Sequence, residues 1–203
     1  MKNDGDGRDG RHARLERNKT EVVRALLSLV RERGEVPTAE VIAGRAHVSR
    51  RSVFRFFDDR ESLLRAAVEF MHRDVLERFP IPDLGGFPVH DRVGRLVEHL
   101  AQVYEYITPV RLVSDNLKAG NDIIRREQSR AQAAYRRQIE VQFLDELPVD
   151  GPEREIVQDS LQLIASWNAW VFLRCDCKHS TERARIVMAH GLEAVLACSL
   201  QGQ

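Results

Sequence analysis

Apolar residues recur at helical spacing from Val22 to Val195, and no stretch alternates apolar and polar residues as a half-buried strand requires. Val22, Val23, Leu26, Leu27, Leu29 and Val30 form the first stripe, with Gly34 where a helix C-cap belongs. Thr38, behind Pro37, is an N-cap for a short segment whose apolar face is Val41, Ile42, Ala43 and Ala46. His47 and Val48 read as a turn, and Ser49 caps a second short helix. Asp58 with Glu61 three residues on has the spacing of a capping box, opening a helix with Leu63, Leu64, Ala67, Val68 and Met71 that ends before Pro80.

Residues 79 to 88, FPIPDLGGFP, hold three prolines and two glycines and read as a domain junction. Beyond them Val89, Val93, Leu96, Val97, Leu100, Val103 and Ile107 make another stripe. Thr108-Pro109 has the form of a cap followed by proline at the first position of a new helix, and Gly120-Asn121 reads as a break. A long segment from 122 to 147 carries Ile124, Ala131, Tyr135, Ile139 and Phe143 on one side, and Pro148 to Pro152 ends it. Two further helices are expected over 153–175 and 181–199. The fold class is all-α. The expected organisation is a flexible arm over 1–18, a small helical domain over 19–79 and a larger one over 89–200.

The arm is expected because its only large apolar residue is Leu15. It carries Lys2, Arg8, Arg11, Arg14 and Arg17, the composition of a solvated tail or of a basic arm on DNA. Composition otherwise excludes more than it assigns. No run approaches the roughly 18 consecutive apolar residues of a membrane span, and the N-terminus lacks the apolar core of a secretory signal. Three cysteines, an odd count, suit reduced thiols in a cytoplasm. Lys plus Arg total 31 and Asp plus Glu total 31, so the net charge is zero. That zero is a sum of opposites: residues 1–75 hold 16 basic and 13 acidic residues (+3), and residues 76–203 hold 15 and 18 (−3).

The sharpest charge feature lies between Val41 and Phe57. Arg45, Arg50, Arg51 and Arg55 stand there with no acidic residue, a local charge of +4. Two short helices joined by a tight turn and braced by a longer one suit a helix-turn-helix. The second would start near Ser49, with Val48, Val53 and Phe57 inward and the arginines outward. Arginine at the start of such a helix can donate two hydrogen bonds to guanine O6 and N7.

VVRALLSLVRERG (22–34) and EVIAGRAHVSRRSVFRFFDDRESLL (40–64) resemble the DNA-binding domain of the TetR family of bacterial transcription regulators. Three residues depart from the family pattern: His47 replaces a turn glycine, Phe54 stands where tyrosine is frequent, and Arg60 replaces a lysine. The resemblance implies that Thr38, Phe54, Phe56 and Arg60 lie near the sugar-phosphate backbone. It implies that Arg50, Arg51, Ser52 and Arg55, on the helix opened by Ser49, reach bases or adjacent phosphates. It also implies a homodimer on a palindromic operator, formed through the last two helices. Their expected faces are Val157, Leu161, Ile164, Asn168, Val171 and Cys175, and Ala184, Val187, Gly191, Leu192, Val195 and Cys198. A small-molecule effector in the second domain would release the DNA, with coupling through the helix at 60–78. Pocket candidates are His99, Tyr104, Asn116, Trp167 and Phe172.

Cys175, Cys177 and His179 are residue types that bind metals or sense oxidants. On a continuous helix Cys175 and His179 share a face that Cys177 leaves, so the reading is a helix end with ordinary thiols and no metal site. No nucleophile–base set, phosphate loop or histidine-pair motif is present, and neither an enzyme nor a cofactor is expected. The competing reading is a dimeric helical interaction protein without sequence-specific DNA binding, which leaves the +4 stretch without a role.

Overall fold

Proline, glycine and short polar caps set several of the helix ends in this chain. In the computed structural model, which describes residues 6–118, 122–148 and 150–201, the helices are α1 (Asp6–Arg33), α2 (Ala39–Arg45), α3 (Arg50–Phe56), α4 (Arg60–Arg78), α5 (Val89–Lys118), α6 (Asp122–Gln142), α7 (Gly151–Ile164), α8 (Trp167–Val171) and α9 (Thr181–Gln201). A 3-10 turn at Leu144–Glu146 follows α6, and a π turn at Phe172–Asp176 follows α8. Among the described residues there is no strand, and no helix is long and apolar enough to cross a membrane.

Local capping chemistry accounts for the first half. Gly34 takes the left-handed conformation (φ 69°) and its N–H donates to the Val30 carbonyl at 2.9 Å. The Thr38 Oγ1 accepts from the Val41 N–H at the start of α2. The turn to α3 passes through His47 at φ 53°, a left-handed position that glycine takes freely and histidine tolerates. Ser49 then caps α3, its Oγ accepting from the Ser52 N–H at 3.1 Å.

The start of α4 lies one residue beyond the Asp58–Glu61 pair. Asp59 Oδ1 accepts from the Ser62 N–H at 2.6 Å, and the Asp59 N–H donates back to Ser62 Oγ at 3.3 Å. Serine at the third helical position does the work expected of the glutamate. The helix ends before Pro80 as expected.

The expected arm is helical from Asp6, so residues 6 to 18 are the first half of α1, and residues 1 to 5 lie outside the described ones. Leu15 packs against the core below it, and a Lys19–Glu16 pair one turn apart supports the exposed face. A helix already nucleated by a buried stripe extends at small cost.

The chain divides into two compact units. One comprises Met1–Asp74 with Pro109–Arg125, the other Val75–Thr108 with Arg126–Gln203. The junction expected at 79–88 is non-helical but belongs to the second unit, and the end of α5 belongs to the first. The first unit is built on Val22, Leu26, Leu29, Ile42, Val53, Phe56 and Leu63, joined by Val113 of α5. In the second, Leu96, Leu100, Phe143, Leu161, Trp170, Met188 and Leu192 are fully buried.

Two local expectations differ from the structure. Thr108-Pro109 does not open a helix, since α5 runs through it. Thr108 Oγ1 donates to the Tyr104 carbonyl and accepts the Trp167 indole N–H, which holds the helix where proline lacks a donor. The helix expected over 153–175 is broken at Ala165–Ser166 and ends in the π turn. Ser166 Oγ caps α8 through the Ala169 N–H, and the buried Tyr104 hydroxyl donates to the Ala165 carbonyl at 2.6 Å, satisfying an acceptor the break exposes. Of the faces expected for a dimer, Val157, Leu161, Ala184 and Leu192 are buried within the chain itself. Gly191 serves the same internal contact, because a Cβ there would meet Ile164 Cγ2 at 3.2 Å. The break expected at Gly120-Asn121 lies outside the described residues.

Candidate functional site

The first candidate site is the outer face of α3. In a seven-residue helix the buried positions are Val53 and Phe56, with Phe57 behind them, which turns Arg50, Arg51, Phe54 and Arg55 outward. Among the described residues no carboxylate pairs with Arg50, Arg51 or Arg55. The Arg50 guanidinium lies 5.6 Å from the centre of the Phe54 ring, which is 52% exposed. Ser52 Oγ stands 2.9 Å from Ser49 Oγ at the helix start. Thr38 and Arg60 are exposed at the starts of the flanking helices. Phe56 differs from the expectation for it: its ring is buried in the core and is not available to a backbone phosphate. Its i, i+3 spacing from Val53 is the sequence signal for that.

Arg45, the fourth arginine of the acid-free stretch, is spent on the fold. Its two terminal nitrogens each donate to Glu32 of α1 at 2.7 Å, and one also donates to Ser28. The Arg45 hydrogen bond, followed by that from Ser28, lowers the Glu32 carboxyl from 4.5 to about 2. A depressed carboxyl stabilises the fold fully above its unfolded value and loses this as pH falls through the folded one. The pair therefore contributes above pH 4.5 and fades toward pH 2. Glu32→Gln should lower the melting temperature at about pH 7, and the gap to wild type should narrow at about pH 3. A gap independent of pH would show that the charge on Glu32 contributes nothing to stability.

What remains is three exposed guanidinium groups and a capped helix start on one short helix. That surface can donate to phosphate oxygens and to base edges in a groove.

The five pocket candidates do not converge. Asn116 is exposed in the first unit, and Phe172 is 55% exposed on the π turn. Tyr104 and Trp167 are buried in the second unit, with the hydroxyl and indole N–H bonded to Ala165 and Thr108. His99 lines an exposed cleft of about 470 Å³ in the second unit. Burial pushes its imidazole below the ordinary 6.5, toward the neutral form. Among the described residues no group of three or more His, Cys, Asp or Glu side chains is placed to hold a metal. Cys175 and Cys198 are exposed and Cys177 half-buried, all as free thiols.

The same arrangement of helices occurs in solved structures. A TetR-family transcriptional regulator from Streptomyces coelicolor superposes with a TM-score of 0.73 at 19% identity, over 93% of this chain and 84% of that one. The fold is that of TetR-family transcriptional regulators. A putative TetR-family regulator from Rhodococcus sp. (TM-score 0.67, 18% identity) covers 89% of this chain and 99% of its own. A transcriptional regulator from Rhodococcus sp. Rha1 (TM-score 0.67, 17% identity) covers 91% and 96%. Neither the sequence profile of a known family nor any curated protein matches the chain. The TetR fold therefore emerges from backbone architecture, and its helix-turn-helix is α2, the His47 turn and α3.

Proposed function

We propose that this chain is a DNA-binding transcriptional regulator with α3 as its recognition helix. The observation that carries this reading is the outer face of α3, with Arg50, Arg51 and Arg55 unopposed by acid and Ser49 capping the start. The TetR fold, matched over 93% of this chain, supports the same reading. Arg50, Arg51, Ser52 and Arg55 read bases or adjacent phosphates, while Thr38, Phe54 and Arg60 lie along the backbone. The protein acts in the cytoplasm, as a regulator and not as an enzyme.

It works as a homodimer. Exposed Ile156 and Leu163 on α7 and Ile186 on α9 are large apolar side chains that a partner would cover, which supports pairing through these helices. Two-fold symmetry sets two recognition helices about 34–36 Å apart and calls for a palindromic operator. The action is repression, relieved when a small molecule binds the second unit and favours a dimer that no longer matches the groove. Coupling runs along α4, and it requires that the effector distinguish the two states. A mobility-shift titration on the promoter upstream of the protein's own gene tests the reading. Binding should fall steeply with salt as phosphate counterions are released. Ligand-free protein that shows no sequence preference at low salt would overturn it.

A further inference from the structure

The cleft beside His99 lies in the second unit, where α5, the segment after α4 and α9 supply its walls. Arg95 and His99 are one turn apart on α5, so their side chains share a face. His99 is only 7% exposed, and among the described residues it makes no hydrogen bond to the protein. An imidazole that deep holds a donor and an acceptor which the fold leaves for something else to meet.

The charges around it are unequal in availability. Glu98 is engaged by Arg185 and by the Gln102 side-chain amide, so it does not neutralise a further cation. Arg185 is committed to Glu98 and Glu182, and Arg78 has a further interaction besides its place over the Tyr106 ring. Arg95 has no carboxylate partner among the described residues. Its guanidinium lies 4.1 Å from the centre of the Phe87 ring. The wall beyond is apolar, formed by Phe79 and Pro82. The cleft volume falls in the range of small-molecule sites, about 300–1,000 Å³.

We infer that this cleft binds a monocarboxylate with an apolar body, held by Arg95 through its guanidinium and by His99 through a ring N–H. One available cation matches one negative charge. A planar carboxylate suits the Arg95 fork, and the chain or ring attached to it lies along Phe79 and Pro82. A phosphate ester brings more charge than one available arginine balances, and it brings it beside Glu98. As an effector site the cleft rests on the regulatory reading above, but as a binding site it stands by itself.

Sodium octanoate is the probe. Titrated into the full chain, it should shift the His99 ring resonances saturably in proton–carbon correlation spectra. Octanol and octyl phosphate should each bind at least about ten-fold more weakly, since a charge-assisted hydrogen bond is lost or mismatched. Arg95 is exposed, so Arg95→Gln keeps the fold and should weaken octanoate about ten-fold or more. His99→Gln, which retains a donor, should weaken it less than His99→Leu. The absence of a saturable shift up to roughly 10 mM octanoate, about ten-fold above a 1 mM dissociation constant, would overturn the site. Tighter binding of octyl phosphate would overturn the carboxylate class. Octanoate that binds through Arg95 but leaves operator affinity unchanged would overturn the effector role. A chain with no operator at all would instead sink the regulatory reading, with octanoate binding intact.

Discussion

Replacing Trp170 by alanine should destabilise the protein by about 3–5 kcal/mol, the range for truncating a large buried aromatic. Trp170 is 1% exposed, its ring centre lies 6.3 Å from that of Tyr104, and its indole N–H donates to Glu105 Oε1 at 2.9 Å. The substitution leaves a cavity in the core of the second unit that helices on every side close only in part. It also removes a donor from a carboxylate whose pKa is held low, first by the Arg174 hydrogen bond and then by this one. Because Arg174 stays bonded to Glu105, Trp170→Phe should lose much less, about 1 kcal/mol for the hydrogen bond and modest extra space. Urea unfolding followed by circular dichroism measures both, as a fall in midpoint at constant slope. A loss below about 1 kcal/mol for the alanine variant would mean that the core does not pack around this ring.

The second large effect belongs to α3. Arg50→Ala and Arg51→Ala should each leave the melting temperature within experimental scatter, since both side chains are exposed and neither pairs with a carboxylate. On DNA the two should separate. An arginine that reads guanine carries about 1–3 kcal/mol of discrimination, roughly 5- to 150-fold, and its loss relaxes preference at one base position. An arginine that holds phosphate weakens all sequences alike and lowers the salt slope by about one. Arg45→Ala should behave differently from both. It breaks the two bonds to Glu32 that brace α2 against α1, and so should lower stability before it touches specificity. If Arg50→Ala and Arg51→Ala both left specificity unchanged, α3 would not be the recognition helix.

Much of the first unit is legible in the sequence because its signals are local. Thr38, Ser49 and Gly34 act within four residues of themselves, and His47 takes the left-handed turn conformation that glycine adopts freely. The arginine run is legible for the same reason. What Arg45 does is not, because its partner lies 13 residues away on another helix and nothing in the spacing pairs them. The second unit is harder to read. Helical periodicity continues across Ala165–Ser166, so the break shows only in a serine that caps α8 and in a tyrosine hydroxyl brought from α5. The proline rule fails at Pro109 because Thr108 and Trp167 hold the helix through it. The pocket candidates scatter for a related reason. Aromatic and polar residues on a helical stripe are placed by the core they share, and of the five His99 lines the cleft described above.

On the proposed reading α3 enters a DNA groove and reads base edges there. Selection of binding sites from random duplexes by the full chain, followed by sequencing, tests it most directly. One enriched inverted repeat is expected, with half-site centres about one helical turn apart, and it should be lost when Arg50 and Arg51 are both replaced by alanine. Enrichment of no sequence, or of the same sequence by the doubly substituted protein, would contradict it.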